Sequence, residues 1–208
     1  MNHERLFPVK IPSALSRILG VIAEHTAFRM GLAVAVAIVD EEGLLQYFAR
    51  MEGTLPASTD IAMAKAYTAA ALRRSTREVG ELAQPGNPLY GIENTNSGKI
   101  VLFGGGFPLI LQGLAAGGIG ISGGTVEEDE EIAGEVLDRL AEMEGLAAAV
   151  VSLLPAQFPE AGWMIQLESR LTEALSRIQG AWTCDLAPRL AGALIIASLR
   201  RSREGNAE

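Results

Sequence analysis

Histidine is scarce in this chain, and its scarcity narrows the chemistry that the sequence supports. The 208 residues include two histidines, His3 and His25. A multi-histidine metal site is therefore excluded, and a Ser-His-Asp triad is disfavoured because no nucleophile-elbow motif accompanies either histidine. His25 falls on or beside the apolar stripe of a predicted helix, where a lone histidine is typically a core residue. A neutral imidazole in that position is also what an axial ligand of a haem iron requires, and Met51, Met63 and Cys184 are weaker candidates for the role.

A second set of candidates surrounds Lys65, which lies in the middle of an otherwise apolar segment. Its side chain either extends along apolar surface to reach solvent or points inward, where it needs an anion. A ligand carboxylate would serve, and Arg50, which closes the preceding predicted strand, could bind the same group through two hydrogen bonds. Asp60 stands at the start of the helix that carries Lys65.

The segment 99–129 carries three glycine clusters separated by short apolar runs, and its pattern predicts an antiparallel meander. Glycine inside a strand is costly unless something must approach the backbone closely. That partner is either another part of the chain or a flat ligand, the latter aided by free amides of Gly123, Gly124 and Thr125 at the start of an acidic helix. A nucleotide site is a weaker alternative because the spacing matches neither the P-loop nor the dinucleotide motif.

The elements that position these residues alternate between helices and short strands. The Thr125–Glu128 and Ser75–Glu78 spacings are typical of capping boxes. Asp40-Glu-Glu-Gly43 predicts the turn of a hairpin between the first two strands, and Gln112-Gly113 predicts a second turn. The region 84–98, rich in proline, glycine and asparagine, is a long loop. Helices are predicted over 13–30, 58–73, 75–83 and 125–145, and strands over 33–39, 44–50, 101–103, 108–111 and 117–122.

Composition limits the partners and the location of the protein. The formal net charge of −8 disfavours nucleic acid and anionic membranes as partners, since the overall field repels both. A single cysteine excludes an internal disulfide and suits a reducing cytoplasm. The N-terminus lacks a signal-peptide core, and the longest apolar run, 190–199, is too short to cross a bilayer. We therefore expect a cytoplasmic protein.

The last quarter of the chain differs in style from the rest. A Pro-containing linker at 155–159 precedes an amphipathic stripe at 163–178 and a final apolar helix near 187–201. We expect a first domain over 1–148 and a helical C-terminal extension over 149–208. Amphipathic helices are usually core elements, but one placed behind a linker is also suited to docking on a partner, here through residues 160–179.

Six ordered blocks of the sequence resemble one known family. They are DEEG at 40–43, FARMEG at 48–53, DIAMAKAYTAA at 60–70, PLYGI at 88–92, IVLFGGGFPL at 100–109 and GGIGISGGTVEEDEEIA at 117–133. Together they resemble the GlcG/HbpS-type family, and in particular the branch fused at the C-terminus of PduO corrinoid adenosyltransferases. The resemblance does not extend beyond residue 145 or so.

The resemblance implies an α+β fold: an antiparallel five-stranded sheet with helices on both faces. It also implies haem as a cofactor, cobalamin as another, a homo-oligomer that is commonly an octamer, and a role in cobalamin-dependent diol or glycerol breakdown, often inside a bacterial microcompartment. His25 is carried over as cofactor and metal ligand by its position in the first helix. The other implied cofactor-binding positions are Arg50, Asp60, Lys65, Thr68, Gly104, Gly105, Gly106, Ser122, Gly123, Gly124 and Thr125.

Three hypotheses follow from these observations. The first is a haem- or tetrapyrrole-binding accessory protein. The second is a small-molecule enzyme or sensor of the GlcG type that holds a hydroxy or keto acid through Arg50 and Lys65. The third is an oligomeric scaffold whose tail docks a partner protein.

Overall fold

A computed structural model describes residues 10–153 and Ile196. The chain divides into two compact units, Met1–Asp138 and Arg139–Glu208. In chain order the elements are α1 (Ser13–Arg29), β1 (Ala35–Asp40), β2 (Leu45–Arg50), α2 (Ala57–Leu72), α3 (Thr76–Leu82), two short 3₁₀ turns (Ile92–Asn94 and Asn96–Gly98), β3 (Gly106–Leu111), β4 (Leu114–Ser122) and α4 (Val126–Leu153).

The strands form one antiparallel sheet in the order β2-β1-β4-β3. Two tight hairpins join its outer pairs. Asp40 closes the first, because its Oδ1 accepts hydrogen bonds from the N–H groups of Glu42 and Leu44. Gln112 and Gly113 close the second hairpin, with φ values of 52° and 74°. A two-residue hairpin turn whose twist matches that of the sheet requires positive φ at both residues. Both predicted hairpins are present.

The predicted fifth strand is wrong, because residues 101–103 pair with no strand. The Val101 N–H donates instead to Thr68 Oγ1 of α2, at 3.0 Å. The strand that does form, β3, starts later, at Gly106. The α+β fold and the antiparallel sheet are confirmed, with four strands in place of five.

One face of the sheet is covered by α2, and glycines make that contact possible. Gly118 and Gly120 lie on β4 facing α2, and a Cβ atom on either would fall 2.4 Å from Ala66 O or 2.1 Å from Ala62 O. The alanines of α2 pack directly against Ala35, Ala37 and Val39 of β1. The glycine clusters in β4 are therefore explained by close approach of the protein's own helix.

The opposite face is covered by α1. Tyr47 points to this side of β2, and its ring lies against Gly20 of α1. The Tyr47 hydroxyl donates a hydrogen bond to Glu24 on the same helix. Since residues alternate between faces along a strand, Tyr47 and the α2-facing Phe48 lie on opposite sides. Helices thus flank both faces, as predicted.

The helices begin and end close to the predicted residues, except at the C-terminal end of α4. Helix α1 begins at Ser13, but Pro12 occupies the N-cap and no side chain caps the helix. Helix α4 continues through Gly145 to Leu153, whereas the sequence predicted an end near Gly145. The Ser75–Glu78 capping box is confirmed. Within the part of the chain that the structure describes, no helix is long and apolar enough to cross a bilayer.

Candidate functional site

The structure distributes the predicted site residues over both sides of the sheet. Asp60, Lys65 and Thr68 lie on α2, and the glycine turn at 104–106 packs beneath that helix. His25 lies on α1, which covers the other face. One cofactor cannot touch His25 and Lys65 within a single protomer, because the sheet separates them.

Lys65 is buried, and its charge is balanced inside the protein. Its Nζ atom lies 2.7 Å from Asp129 Oδ2 and donates to Ile121 O at 2.7 Å. The Phe103 ring centroid lies 5.0 Å from the same nitrogen, a cation–π distance. The side chain therefore does not extend to solvent, and the anion it needs comes from α4 of the same chain.

The electrostatics of this pair are governed by burial. Burial lowers the pKa of Lys65 and raises the pKa of Asp129, because loss of water disfavours the charged form of each group. The hydrogen bond between them acts in the opposite direction on both groups and favours the ionised forms. The Gly124 N–H also donates to Asp129, at 3.1 Å. The pair is a tightly held internal junction.

The glycine turn at 104–106 is occupied by protein. A Cβ atom on Gly105 would fall 2.6 Å from Lys65 Nζ, and one on Gly106 would fall 2.7 Å from Lys65 O. The Gly106 N–H donates to Thr76 Oγ1 at 3.0 Å. The turn leaves no room for a ligand on the side that faces α2.

The amides at the start of α4 are also engaged, which corrects the expectation that they are free. The Thr125 N–H donates to the Glu128 carboxylate at 2.7 Å, and the Glu128 N–H donates to Thr125 Oγ1 at 3.2 Å. This reciprocal pair is the predicted capping box. Ser122, at the end of β4, and Gly123 next to it complete the segment; Ser122 is buried, and Gly123 lies against the backbone of 33–34.

Thr68 serves as a link between α2 and the segment after the long loop. Its hydroxyl lies 3.1 Å from Lys99 O and accepts a hydrogen bond from the Val101 N–H. The residue is buried. Its visible role is to hold the 99–101 backbone against α2.

Arg50 and Asp60 remain accessible to solvent. Arg50 is exposed at the end of β2 and donates to the carbonyl oxygen of Thr54. Asp60 is exposed in the first turn of α2 and lines a pocket of about 440 Å³. The pocket runs along α2 beside the β1–β2 turn. Its walls are formed by Val39, Gly43, Leu45, Asp60, Met63, Ala64, Tyr67, Gly98 and Lys99.

His25 is exposed on α1, so the expectation of a core histidine is wrong. Val21 and Phe28 lie one turn before and after it and are also exposed, with 56% and 74% of their surface accessible. Helical spacing places these three side chains on one face. An apolar helix face with an imidazole at its centre is exposed to solvent. Of the weaker iron-ligand candidates, Met63 lines the pocket beside α2, Met51 is half-buried, and Cys184 lies outside the described residues.

Sequence reasoning missed Asp129 as the partner of Lys65. It belongs to the acidic run 127–131, which the helix dipole alone explains. Sequence reasoning also missed Tyr67 and Lys99, whose side chains meet in a cation–π contact with Nζ 5.3 Å from the ring centroid. The signal for Tyr67 was its spacing of seven residues from Asp60, which puts both on one face of α2.

Comparison with known proteins shows which family and which solved structures this chain is similar to. Residues 11–138 match the family described as haem degrading protein HbpS-like. A 15.0 kDa protein from the dhaT-dhaS intergenic region of Citrobacter freundii is 40% identical over 133 residues, which are 64% of this chain and 94% of that protein. The family match over residues 11–138 spans α1 to β4 and the first part of α4.

Two further comparisons connect the fold to named proteins. The corrinoid adenosyltransferase PduO of Salmonella typhimurium is 43% identical over 111 residues, or 53% of this chain. Those residues are 33% of PduO, so the chain corresponds to about a third of that relative's length. The crystal structure of a PduOC–haem complex matches with a TM-score of 0.60 and 38% identity, covering 62% of this chain and 94% of that one.

Proposed function

This chain belongs to the HbpS-like family, and we propose that it is a haem-binding accessory protein in which His25 is the iron ligand. The observation that carries the proposal is the similarity to the PduOC–haem complex over 94% of that chain. A protein that shares this much of its sequence and fold with a haem complex is expected to keep the same class of ligand.

The exposed face of α1 has the side chains that a haem needs. His25 offers an imidazole nitrogen for the iron, and Val21 and Phe28 offer apolar surface for the porphyrin ring. Arg17 lies two turns before His25 and is exposed, and Arg29 is exposed one turn after it. The Arg17 guanidinium is suited to bind a haem propionate through two hydrogen bonds, whereas Arg29 already contacts Glu135 Oε1 at 3.8 Å and Thr26 Oγ1 at 3.4 Å. The donor set therefore fits the group.

A haem held only by one exposed helix face would leave its other side in water. Burying that side requires a second surface, and a second copy of α1 would supply the same apolar and cationic side chains. We therefore propose that the protein acts as a homo-oligomer, with the octamer as the expected assembly. The measurement is the solution mass of the protein with and without haem.

Haem titration tests the proposal directly, and the chain supplies its own control. We expect a Soret band to grow with added haem in the wild type and in His3→Ala, and to weaken strongly in His25→Ala. Phe28→Ser should reduce haem affinity while keeping the axial ligand, because it removes apolar contact and not the imidazole. An equal Soret band in His25→Ala and His3→Ala would contradict the assignment of the iron ligand.

We also propose a setting in cobalamin-dependent diol or glycerol metabolism. It is supported by the similarity to a named corrinoid adenosyltransferase and to a protein from a dha region. Cobalamin as a second ligand and location in a bacterial microcompartment belong to this proposal. Equilibrium dialysis with cobalamin, and co-purification with microcompartment shells from cells grown on diols, are the corresponding tests.

The two other hypotheses fare differently. The hydroxy-acid hypothesis relied on Arg50 and Lys65 binding one carboxylate, but Lys65 already pairs with Asp129. A thermal-shift screen with short hydroxy and keto acids tests it. Stabilisation of the wild type that is lost in Arg50→Gln would support the hypothesis.

The docking segment 160–179 lies outside the described residues. Deletion from residue 156 onward is its test, with partner recruitment as the readout.

A further inference from the structure

The pocket beside α2 has charged side chains of opposite sign, one from the first turn of the helix and one from the segment after the second 3₁₀ turn. Asp60 lies in the first turn of α2, and the Lys99 ammonium lies over the ring of Tyr67, 5.3 Å from its centroid. Asp60 and Tyr67 are seven residues apart, so about 10 Å of helix separates them. The two charged residues therefore line the pocket at positions about two helical turns apart.

Neither charge is neutralised by the protein. Among the residues that the structure describes, the Asp60 carboxylate has no hydrogen bond or ion pair, and the contact of the Lys99 ammonium is the ring of Tyr67. In contrast, the buried Lys65, on another face of α2, is paired with Asp129. An unpaired anion and an unpaired cation on the wall of one pocket are suited to bind a ligand of complementary charge.

The wall between the charges is apolar. Val39, Leu45, Met63 and Ala64 form it, and Leu45 keeps 51% of its surface exposed. Gly43 of the β1–β2 turn lacks the Cβ atom that would fall 2.8 Å from the Tyr67 ring, so the ring can lie against the turn. The volume of about 440 Å³ lies in the range typical of small-molecule sites.

We propose that this pocket binds an elongated amphipathic molecule with a positively charged group at the Asp60 end and an anionic group at the Lys99 end. The middle of the ligand is an unbranched apolar chain or a flat ring that contacts Leu45 and Met63. This site is separate from the α1 face proposed for haem, because α1 and α2 cover opposite faces of the sheet. The proposal does not depend on haem binding.

Three matched probes test the charge pattern by isothermal titration calorimetry on the full chain: 8-aminooctanoate, octanoate and octylamine. They share an apolar chain and differ only in their ends. We expect 8-aminooctanoate to bind most tightly, with the loss of either charged end weakening binding by about three- to fivefold, as for partly exposed ion pairs. Asp60→Asn should reduce the preference for 8-aminooctanoate over octanoate, and Lys99→Gln should reduce its preference over octylamine.

Two further variants complete the test. Ala64→Leu narrows the pocket while keeping a strong helix former, and it should remove binding of all three probes without loss of helical circular dichroism. Glu81→Gln changes an exposed carboxylate outside the pocket and should leave all affinities unchanged. Equal affinities for the three probes, binding that survives Ala64→Leu in a folded protein, or no binding of any probe would overturn the proposal. Soret titrations of the same variants should match wild type, so failure here leaves the haem proposal intact.

Discussion

Lys65 Nζ lies 2.7 Å from Asp129 Oδ2, and this contact joins the middle of α2 to the first turn of α4. The side chains are only 1% and 4% exposed. Ile121 O is a further acceptor for the lysine, so the ammonium contacts β4 as well. Three elements are thus tied together by one buried cation. Lys65, whose charge suggested a ligand-binding role, therefore acts as a structural cross-link between these elements.

Breaking this pair should be costly because it leaves one buried charge without a partner. We expect Lys65→Met and Asp129→Asn each to lower the free energy of unfolding by about 3–5 kcal/mol, as is typical of buried pairs. The double variant should lose less than the sum of the two, because neither charge is then left alone. Urea unfolding of the four proteins gives the coupling energy.

The exposed pair Arg77–Glu130 is the matched control for that cycle. Glu130 follows Asp129 in the chain, and its carboxylate accepts hydrogen bonds from Arg77 at 2.6–3.0 Å. Solvent screening makes such pairs weak. Arg77→Met with Glu130→Gln should therefore show a much smaller coupling energy. Equal coupling in the two cycles would mean that burial does not set the strength of the Lys65–Asp129 contact.

Asp40 should contribute a stability that is lost in acid. Burial raises the pKa of this carboxyl, but hydrogen bonds from Leu44 N–H, Lys10, Gln46 and Glu42 N–H outweigh burial and hold its pKa below the ordinary value of 3.8. As the pH falls, the unfolded chain therefore takes up the proton before the folded protein does. The contribution of Asp40 to the free energy of unfolding is present above pH 3.8 and is lost as the pH falls through the lower pKa of the folded state.

The comparison of wild type with Asp40→Asn isolates this effect. At neutral pH the variant should be less stable, because it loses the ion pair with Lys10 at 3.1 Å and presents an amide where donors converge. The difference in unfolding free energy should shrink as the pH falls below 3.8. A difference that stays constant from pH 6 to pH 2.5 would show that Asp40 does not titrate with a lowered pKa.

Local chemistry in the sequence predicted most of the fold. The hairpin turns at Asp40-Glu-Glu-Gly43 and Gln112-Gly113, and the capping boxes at Ser75 and Thr125, follow from short-range spacing and are all present. The predicted strand at 101–103 does not form, because an apolar run becomes a strand only when it lies beside the unpaired edge of another strand. Here the Thr68 hydroxyl takes that backbone hydrogen bond, and no local pattern reveals a partner 33 residues away.

The candidate site was harder to predict because its residues owe their roles to long-range contacts. The Lys65–Asp129 hydrogen bond spans 64 positions, and the acidic run that contains Asp129 has a sufficient local explanation in the helix dipole. His25 was predicted to lie in the core because the apolar stripe of α1 is broad. A shift of one residue around the helix is enough to move a side chain from the buried side of α1 to its exposed side. Asp60, a cofactor-binding position implied by the family resemblance, lines the pocket beside α2, but Tyr67 and Lys99, which line it as well, were not predicted.

The glycine-rich strand β4 yields the sharpest test of the packing account. Gly120→Ala would place a Cβ atom 2.1 Å from Ala62 O and 2.5 Å from Ala66 N, both backbone atoms of α2 that cannot move alone. We expect a loss of about 1–3 kcal/mol in the free energy of unfolding, the usual cost of overpacking. Gly134→Ala is the control: nothing lies within 4 Å of its added Cβ, so helix propensity should raise stability by about 0.5–1 kcal/mol. Thermal unfolding of the two variants should therefore shift in opposite directions. If Gly120→Ala melts at the wild-type temperature, α2 does not lie on β4 as closely as described, and the glycines would again need a ligand to explain them.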